Sequence, residues 1–527
     1  MTETVSNTPI IPAIAPVIPA VAQGSTKANA IFRLTAYVAS AVVMLAALPY
    51  IIRALGVDAY GIIGISNSVI NYLAIATVAV TAVIGRNLVF AITQKRFDDA
   101  SKQVSTSLWG LAIFILAVLL PAAAGIFFLE KLLNLPPHLV TDGKLLFVFI
   151  FVTFALTTLS LPFSAATFVR NRLDIASGLG FLKQFLTYGL VLWLFSLLHP
   201  SLALYGLVTA VVSLFFLVAN IGVSRKLMPE TQVGLKWVDT AILRGILMFG
   251  GWITLNHIGS LLYLQTDIVV VNRVLGAAAA GQFAALAVIS TQMRAVGSMV
   301  ASLFDPNQTA LAARGDIEGL LRYVTRSVRI ATLIAAAMVG IFCGLAPQIL
   351  HIWLGAAFAP LSPLALLMTA HLIVNLGVLP LFGVQLALGG VKWPGIVTLV
   401  LGLVNILLGI TLAGPLKLGL MGVALAGCIV LTAKNLIFSP WYVARLCRST
   451  PWPFLQEQGI GLLMGAAVFL VSKGAAILLH PASMGRLGLT LLLASVLSAV
   501  VLAPFAYRIF RKPTTTAPLT TEEPARG

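Results

Sequence analysis

Fourteen apolar runs, most of them long enough to cross a hydrocarbon layer as a helix, decide what a chain like this can fold into. They lie near 29–52, 61–92, 104–129, 145–168, 175–198, 202–224, 242–272, 280–306, 323–346, 361–388, 394–414, 419–443, 457–479 and 486–509. A bilayer core takes roughly 20 helical residues. The runs are continuous rather than alternating, which excludes barrel strands, and an open sheet cannot satisfy its edges in lipid. Composition agrees: 59% of the 527 residues are hydrophobic, 9% are charged and the mean hydropathy is +1.02, against an apolar content of roughly 45–50% in soluble domains. The expected fold class is all-α and integral to the membrane. The longest polar connections, 225–241 and 307–322, are too short for an extramembrane domain, which needs about 40 residues or more to bury a core.

A repeat organises the runs. Arg53-Ala54-Leu55-Gly56 and the later Gly61 return 220 residues on as Arg273-Val274-Leu275-Gly276 and Gly281. The register continues with Gly85-Arg86-Asn87 on Asp305-Pro306-Asn307, Asp98 on Glu318, Val104 on Val324 and Ser107 on Ser327, then slips by two to set Leu161-Pro162 on Leu379-Pro380. Matches in register over about a hundred residues argue for duplicated halves rather than two chance helix ends. Six runs separate the copies, so the halves are parallel and related by an axis along the membrane normal. The architecture expected is two parallel six-helix lobes around a central cavity, 29–224 and 242–443, with two added helices at 457–509. Residues 1–28 and 510–527 are expected to be cytoplasmic tails, the first Pro/Ala/Thr-rich, disordered and without the basic region of a signal peptide.

Orientation follows from the loop charges. With the N-terminus inside, the inner segments hold twenty-one Lys and Arg and the outer segments six, namely Arg53, Lys131, Lys144, Arg273, Lys417 and Arg486. That is the positive-inside pattern. It accounts for most of the net charge of +17 without nucleic acid as a partner. Cys343, Cys428 and Cys447 lie far apart, and no His stands at ligand spacing, so neither a disulfide framework nor a metal site is expected.

An ionisable group at bilayer depth costs on the order of 3 kcal/mol and is a functional hypothesis by default. Apart from the bases already assigned to the inner and outer segments, the runs hold Arg33, Arg86, Lys183, Arg294, Lys434 and Lys473, and they hold the acids Asp267 and Asp305. Arg33 and Lys473 lie near run ends, where long side chains reach the headgroups; Lys183 and Lys434 lie near the inner face. Arg294 is mid-run. At 100° per residue, Ser290, Arg294, Ser298 and Asp305 share a face within about 80°. Asn256, Ser260, Tyr263 and Asp267 do the same on the seventh run, Asn67, Asn71 and Gly85 on the second with Arg86 at the edge, and Arg33, Tyr37 and Ser40 on the first.

Such stripes either glue helices together or line a wet cavity between the lobes, and the mid-run guanidinium favours the cavity. The candidate cavity residues are Arg33, Asn67, Asn71, Arg86, Asn256, His257, Asp267, Arg294 and Ser298. His257 is a ligand or proton carrier on one reading and a hydrogen-bonded packing residue on the other. The offset also sets Arg86 level with Asp305 near the inner ends of the second and eighth runs. Either the two form a cytoplasmic gate pair, closed in the outward-facing state, or Arg86 snorkels and Asp305 caps its own helix. No catalytic set is present.

The opening helix end, Leu48-Pro49-Tyr50-Ile51-Ile52-Arg53-Ala54-Leu55-Gly56 with Tyr60-Gly61, together with six-plus-six parallel lobes and two added helices, resembles the polysaccharide flippases of the multidrug/oligosaccharidyl-lipid/polysaccharide exporter superfamily. The resemblance covers about 25–510. It implies export of an undecaprenyl-diphosphate-linked oligosaccharide across the bacterial inner membrane by alternating access, with both termini cytoplasmic. Polysaccharide polymerase and glycosyltransferases are further candidate partners, besides the membrane lipids. Many flippases of this type are described with twelve spans and the lipid II branch with fourteen, so the branch stays open.

The residues agree with that substrate. A lipid-linked diphosphate brings negative charge and a hydroxyl-rich sugar through the bilayer, and guanidinium groups with an Asn/Ser-lined cavity lower the cost. Expelling an anion from an interior-negative cell gains about 2.3 kcal/mol per charge per 100 mV. No cofactor is expected; membrane potential, H+ or Na+ are the candidate driving forces, with Asp267 as the group that could titrate. A multidrug exporter of the same superfamily would want an acidic cavity. A membrane glycan polymerase or glycosyltransferase would want sizeable outer loops. A structural scaffold has little use for Arg294.

Overall fold

The computed structural model describes residues 23–170, 172–240, 242–243 and 251–510. Apart from residues 23–28 and Phe510, which are helical, the expected tails lie outside the described residues, as do the side chains of Arg33, Arg86 and Asn256. Among the described residues all regular structure is helical. The first half holds α1 (Gln23–Leu55), α2 (Val57–Thr93), α3 (Phe97–Phe127), the short α4 (Leu129–Leu132), α5 (Val140–Val169), α6 (Leu173–Leu197) and α7 (Leu202–Leu227). The second holds α8 (Gly251–Leu264), α9 (Thr266–Leu275), α10 (Ala277–Ser302), α11 (Asp305–Ala313), α12 (Ile317–Leu354), α13 (Ser362–Ala370), α14 (Leu372–Gly377), α15 (Leu379–Ala387), α16 (Lys392–Ala413), α17 (Gly419–Ala433), a π-helical turn Lys434–Phe438 and α18 (Ser439–Leu446). Two further helices close the chain, α19 (Trp452–Leu479) and α20 (Met484–Phe510).

Thirteen helical segments among the described residues are long and apolar enough to cross a membrane. The 37-residue α2 stands where the second run was expected, so every expected span has a helix at its position. Several are not single helices. The tenth, 361–388, is the three pieces α13, α14 and α15, and Pro380 in the first turn of α15 has no N–H to carry the preceding helix onward. Pro306 likewise opens α11, so Asp305 begins a new helix instead of ending α10. Pro162, which the repeat sets on Pro380, sits inside the unbroken α5. The seventh span breaks at Gln265, where no proline or glycine marks it.

The repeated motif builds the same turn twice. Gly56 has φ +87° and Gly276 φ +93°, a conformation open to glycine at little cost. Gly56 N–H donates to Ile52 O at 2.9 Å and its carbonyl accepts from Tyr60 N at 3.1 Å; Gly276 repeats this with Asn272 O at 3.0 Å and Ala280 N at 3.2 Å. Each turn delivers a helix, α2 or α10, whose first turns cross the other. Packing within the halves also repeats: α1 lies on α6 as α8 lies on α16, and α5 lies on α7 as α13 lies on α17. The added helix α19 docks along α12 through small residues, Gly340 and Gly344 meeting Val468 and Ser472 and Gly461 meeting Thr332, while Gly465 meets Ile373 of α14.

Candidate functional site

The break at Gln265 positions the buried acid. Asp267 falls in the first turn of α9, where unpaired N–H groups favour a carboxylate. Its Oδ1 accepts from Asn405 Nδ2 of α16 at 2.9 Å. The other oxygen, Oδ2, and Asn405 Oδ1 both face Gly427 of α17, and Asn405 Oδ1 has no hydrogen-bond partner among the described residues. From α2, Ser68 Oγ donates to Gln265 Oε1 at 3.4 Å, and the Tyr72 hydroxyl pairs with that of Thr266. The break in the seventh span is thus stitched to the second span of the other half.

Arg294 is half-buried on α10, and its electrostatic neighbours are Tyr263 and Asp267. Those are two members of the polar face expected on the seventh span. The face expected on α10 divides. Ser290 is buried and donates to Met368 O of α13 at 3.2 Å, whereas Ser298 is exposed. Asn67, Asn71 and His257 are exposed. His371, 9% exposed on the tenth span, feels the Arg294 charge and pairs through Nδ1 with Asn375.

Lys434 turns into the protein. It is buried on the first residue of the π-helical turn, with Nζ 3.4 Å from the Tyr263 hydroxyl and lying over the rings of Tyr263 and Phe382. Lys473, by contrast, is exposed beside the Phe469 ring, as a snorkelling lysine would be. Lys183 is half-buried and donates to Thr157 Oγ1 at 3.2 Å. Behind Lys434 a polar chain runs from His371 through Asn375 to Asn435, whose Nδ2 donates to Asn375 Oδ1 at 2.8 Å, and on to Gln458. Beside it Arg329 of α12 and Glu457 of α19 make a bidentate ion pair with Glu457 buried.

Of the expected gate pair, the Arg86 side chain lies outside the described ones. Asp305 is exposed at the start of α11, and its carboxylate lies over Gly383 of α15. Sequence reasoning missed a seal at the end carrying the repeated turn. Asn134 Nδ2 donates to Asn272 O and Arg273 O at 2.9 and 3.0 Å; Asn134 N donates to Asn272 Oδ1 at 3.0 Å, and Asn272 Nδ2 returns a bond to Asn134 O at 3.3 Å. Trp353 Nε1 of α12 donates to Leu45 O of α1 at 2.7 Å. The halves are closed at that end. A cleft of about 380 Å³ beside the seal is lined by Asp58 and Glu130, the wrong sign for an anion.

No family model matches the chain. It is 36% identical over 442 residues to the "Uncharacterized membrane protein EpsK" of Bacillus subtilis strain 168, covering 83% of this chain and 86% of that one. Among solved structures it is similar to the lipid II flippase MurJ in an inward closed conformation, with TM-score 0.60 at 14% identity, covering 92% of this chain and 100% of that one. It is also similar to a multidrug resistance MATE family transporter of the MOP superfamily in an inward-facing conformation, with TM-score 0.59 at 15% identity, covering 80% and 99%. The chain therefore shares the fold of these two proteins.

Proposed function

The chain belongs to the family of the membrane protein EpsK, and from that premise we propose that it is a flippase. It moves an undecaprenyl-diphosphate-linked oligosaccharide from the inner to the outer leaflet of a bacterial inner membrane by alternating access, for surface polysaccharide biosynthesis. The observation that carries this reading is the half-buried Arg294 at mid-span, next to Asp267 and Tyr263 with Lys434 behind them. Two cations against one acid leave an uncancelled positive charge in the membrane interior, and a planar guanidinium fork suits a phosphate.

The multidrug reading, which would carry organic cations, is the weaker one. Asp267, the acid such a substrate would need, is already held by Asn405 and faces Arg294. On the flippase reading Asp267 is the coupling group: binding H+ or Na+ there changes the net charge of the cluster and hence its hold on an anion, while the membrane potential adds to export. A polymerase and glycosyltransferases would stand on either side of the step as partners, and both termini would be cytoplasmic.

The test is export by Arg294 variants in a strain lacking the chromosomal copy. Arg294→Ala and Arg294→Glu, at normal membrane levels, abolish surface polymer, whereas Arg294→Lys keeps part of it, a point charge still attracting diphosphate. Normal export by Arg294→Glu removes the residue from the mechanism. Undiminished polymer in the deletion strain, with new sensitivity to organic cations, returns the multidrug reading.

A further inference from the structure

Lys434 is 6% exposed and forms no ion pair among the described residues. Its close neighbours are neutral, the Tyr263 hydroxyl at 3.4 Å and the rings of Tyr263 and Phe382 at 5.4 and 5.3 Å. Cation–π contacts and one long hydrogen bond offset only part of the cost of removing an ammonium from water. An apolar side chain of similar volume would serve the fold better, and π-helical turns of this kind cluster at functional sites. The charge needs a purpose other than packing.

Its hydrogen bond supplies one. An ammonium has only donors, so Lys434 donates a hydrogen bond to the phenolic oxygen, and the hydrogen of that phenol is left to donate onward. At present it goes to Ser260 Oγ at 3.2 Å, a long bond for two hydroxyls. Tyr263 lies one turn before Asp267 on the seventh span and is an electrostatic neighbour of Arg294. A phenol that accepts from a cation is polarised into a stronger donor.

We propose that Tyr263 and Lys434 form a charge-assisted donor for a phosphate oxygen of the substrate, beside Arg294. Tyr263 touches the substrate, and Lys434 is its positioning residue from the layer behind. The inference rests on the anionic-substrate reading and adds the residues that tell a diphosphate from a monophosphate: Arg294 takes one phosphate and the polarised phenol the other. The phenol's weak bond to Ser260 is exchanged for a charge-assisted one when the anion arrives.

Purified protein in detergent is titrated with farnesyl diphosphate and farnesyl monophosphate, and its melting is followed without ligand. Tyr263→Phe, which keeps the ring, and Lys434→Met each weaken diphosphate binding roughly tenfold and erase the preference over monophosphate. The double variant is no weaker than either single one, because the two residues act as one donor. Lys434→Arg restores most of the preference. Ligand-free Lys434→Met melts at or above the wild-type temperature, since an uncompensated buried charge is gone. Undiminished binding by either single variant, losses that add in the double one, or a lowered melting temperature in Lys434→Met overturns the proposal. If the wild-type chain binds neither probe, the flippase reading falls with it; if the wild type and both variants bind the diphosphate alike, only this inference falls.

Discussion

Gly61 and Gly281 pack backbone against backbone where α2 crosses α10, and each holds in its own repeat the place the other holds in the second. A Cβ on Gly61 would lie 2.7 Å from Ala277 O, and one on Gly281 would lie 1.9 Å from Val57 O. Val57 and Ala277 are themselves 220 residues apart. The contact maps onto itself under the offset, as it must if a two-fold axis runs between the two glycines. The glycines that keep the repeat legible are therefore the ones that let its copies touch.

Gly281→Ala should destabilise the protein by about 1–3 kcal/mol, because the intruding methyl meets backbone that cannot rotate away. Gly61→Ala should act in the same direction. Gly180→Ala in α6, with open space around the added carbon, should be neutral or stabilise by about 0.5–1 kcal/mol through helix propensity. Melting curves of the three purified variants decide it. Equal stability of Gly281→Ala and Gly180→Ala would mean the crossing is looser than its geometry.

Asn134 and Asn272 should behave as a coupled pair. Asn272 is fully buried, and Asn134→Ala takes the Nδ2 donor away from its carbonyl and from that of Arg273, at about 1–3 kcal/mol for the two bonds. Asn272→Ala should cost a similar amount, and the double variant should cost less than the sum by about 0.5–3 kcal/mol. Additive losses in thermal melts would show that the two side chains hold separate structures together.

Much of this was legible in the chain. The Arg-x-Leu-Gly repeat marked the helix ends at Gly56 and Gly276, and the helical period set Tyr263 and Asp267 on one face of the seventh span and Arg294 on a polar face of the eighth. What escaped was pairing across long sequence distance. Asn405 is one polar residue in an apolar helix, and nothing local says that it meets Asp267 138 residues away. The Asn134–Asn272 seal spans the same separation. The burial of Lys434 escaped because position along a span says nothing about whether the side chain turns inward. The break at Gln265 escaped because no local residue marks it and the side chains bonded to Gln265 and Thr266 come from the distant α2, whereas the break at Pro380 is local and proline marks it.

Topology has its own test. A reporter active only outside the inner membrane should be on when fused after Lys417 or Arg486 and off when fused after Lys95 or Arg448, since the basic loops stay inside. The inverse pattern at all four sites would turn the molecule over and make the Asn134–Asn272 seal a cytoplasmic one.

The seal leaves the opposite end to be closed in the outward-facing state, and there the offset sets Arg86 level with Asp305. Asp305 opens α11, where helix N–H groups favour its charge, and its exposure leaves it free to meet a partner from α2. An exposed pair is worth about 0–1 kcal/mol; two states lying a few kcal/mol apart respond to a bias of that size when several such contacts act together. Arg86→Asp and Asp305→Arg should each lower export, and the double swap should recover much of it, because the pair re-forms with its signs exchanged. Asp305→Asn keeps an amide that can cap α11 but carries no charge, so it should impair export if the pair gates and leave it intact if Asp305 only caps. Additive losses in the double swap, together with normal export by Asp305→Asn, would leave Arg86 to the inner headgroups and Asp305 to its own helix.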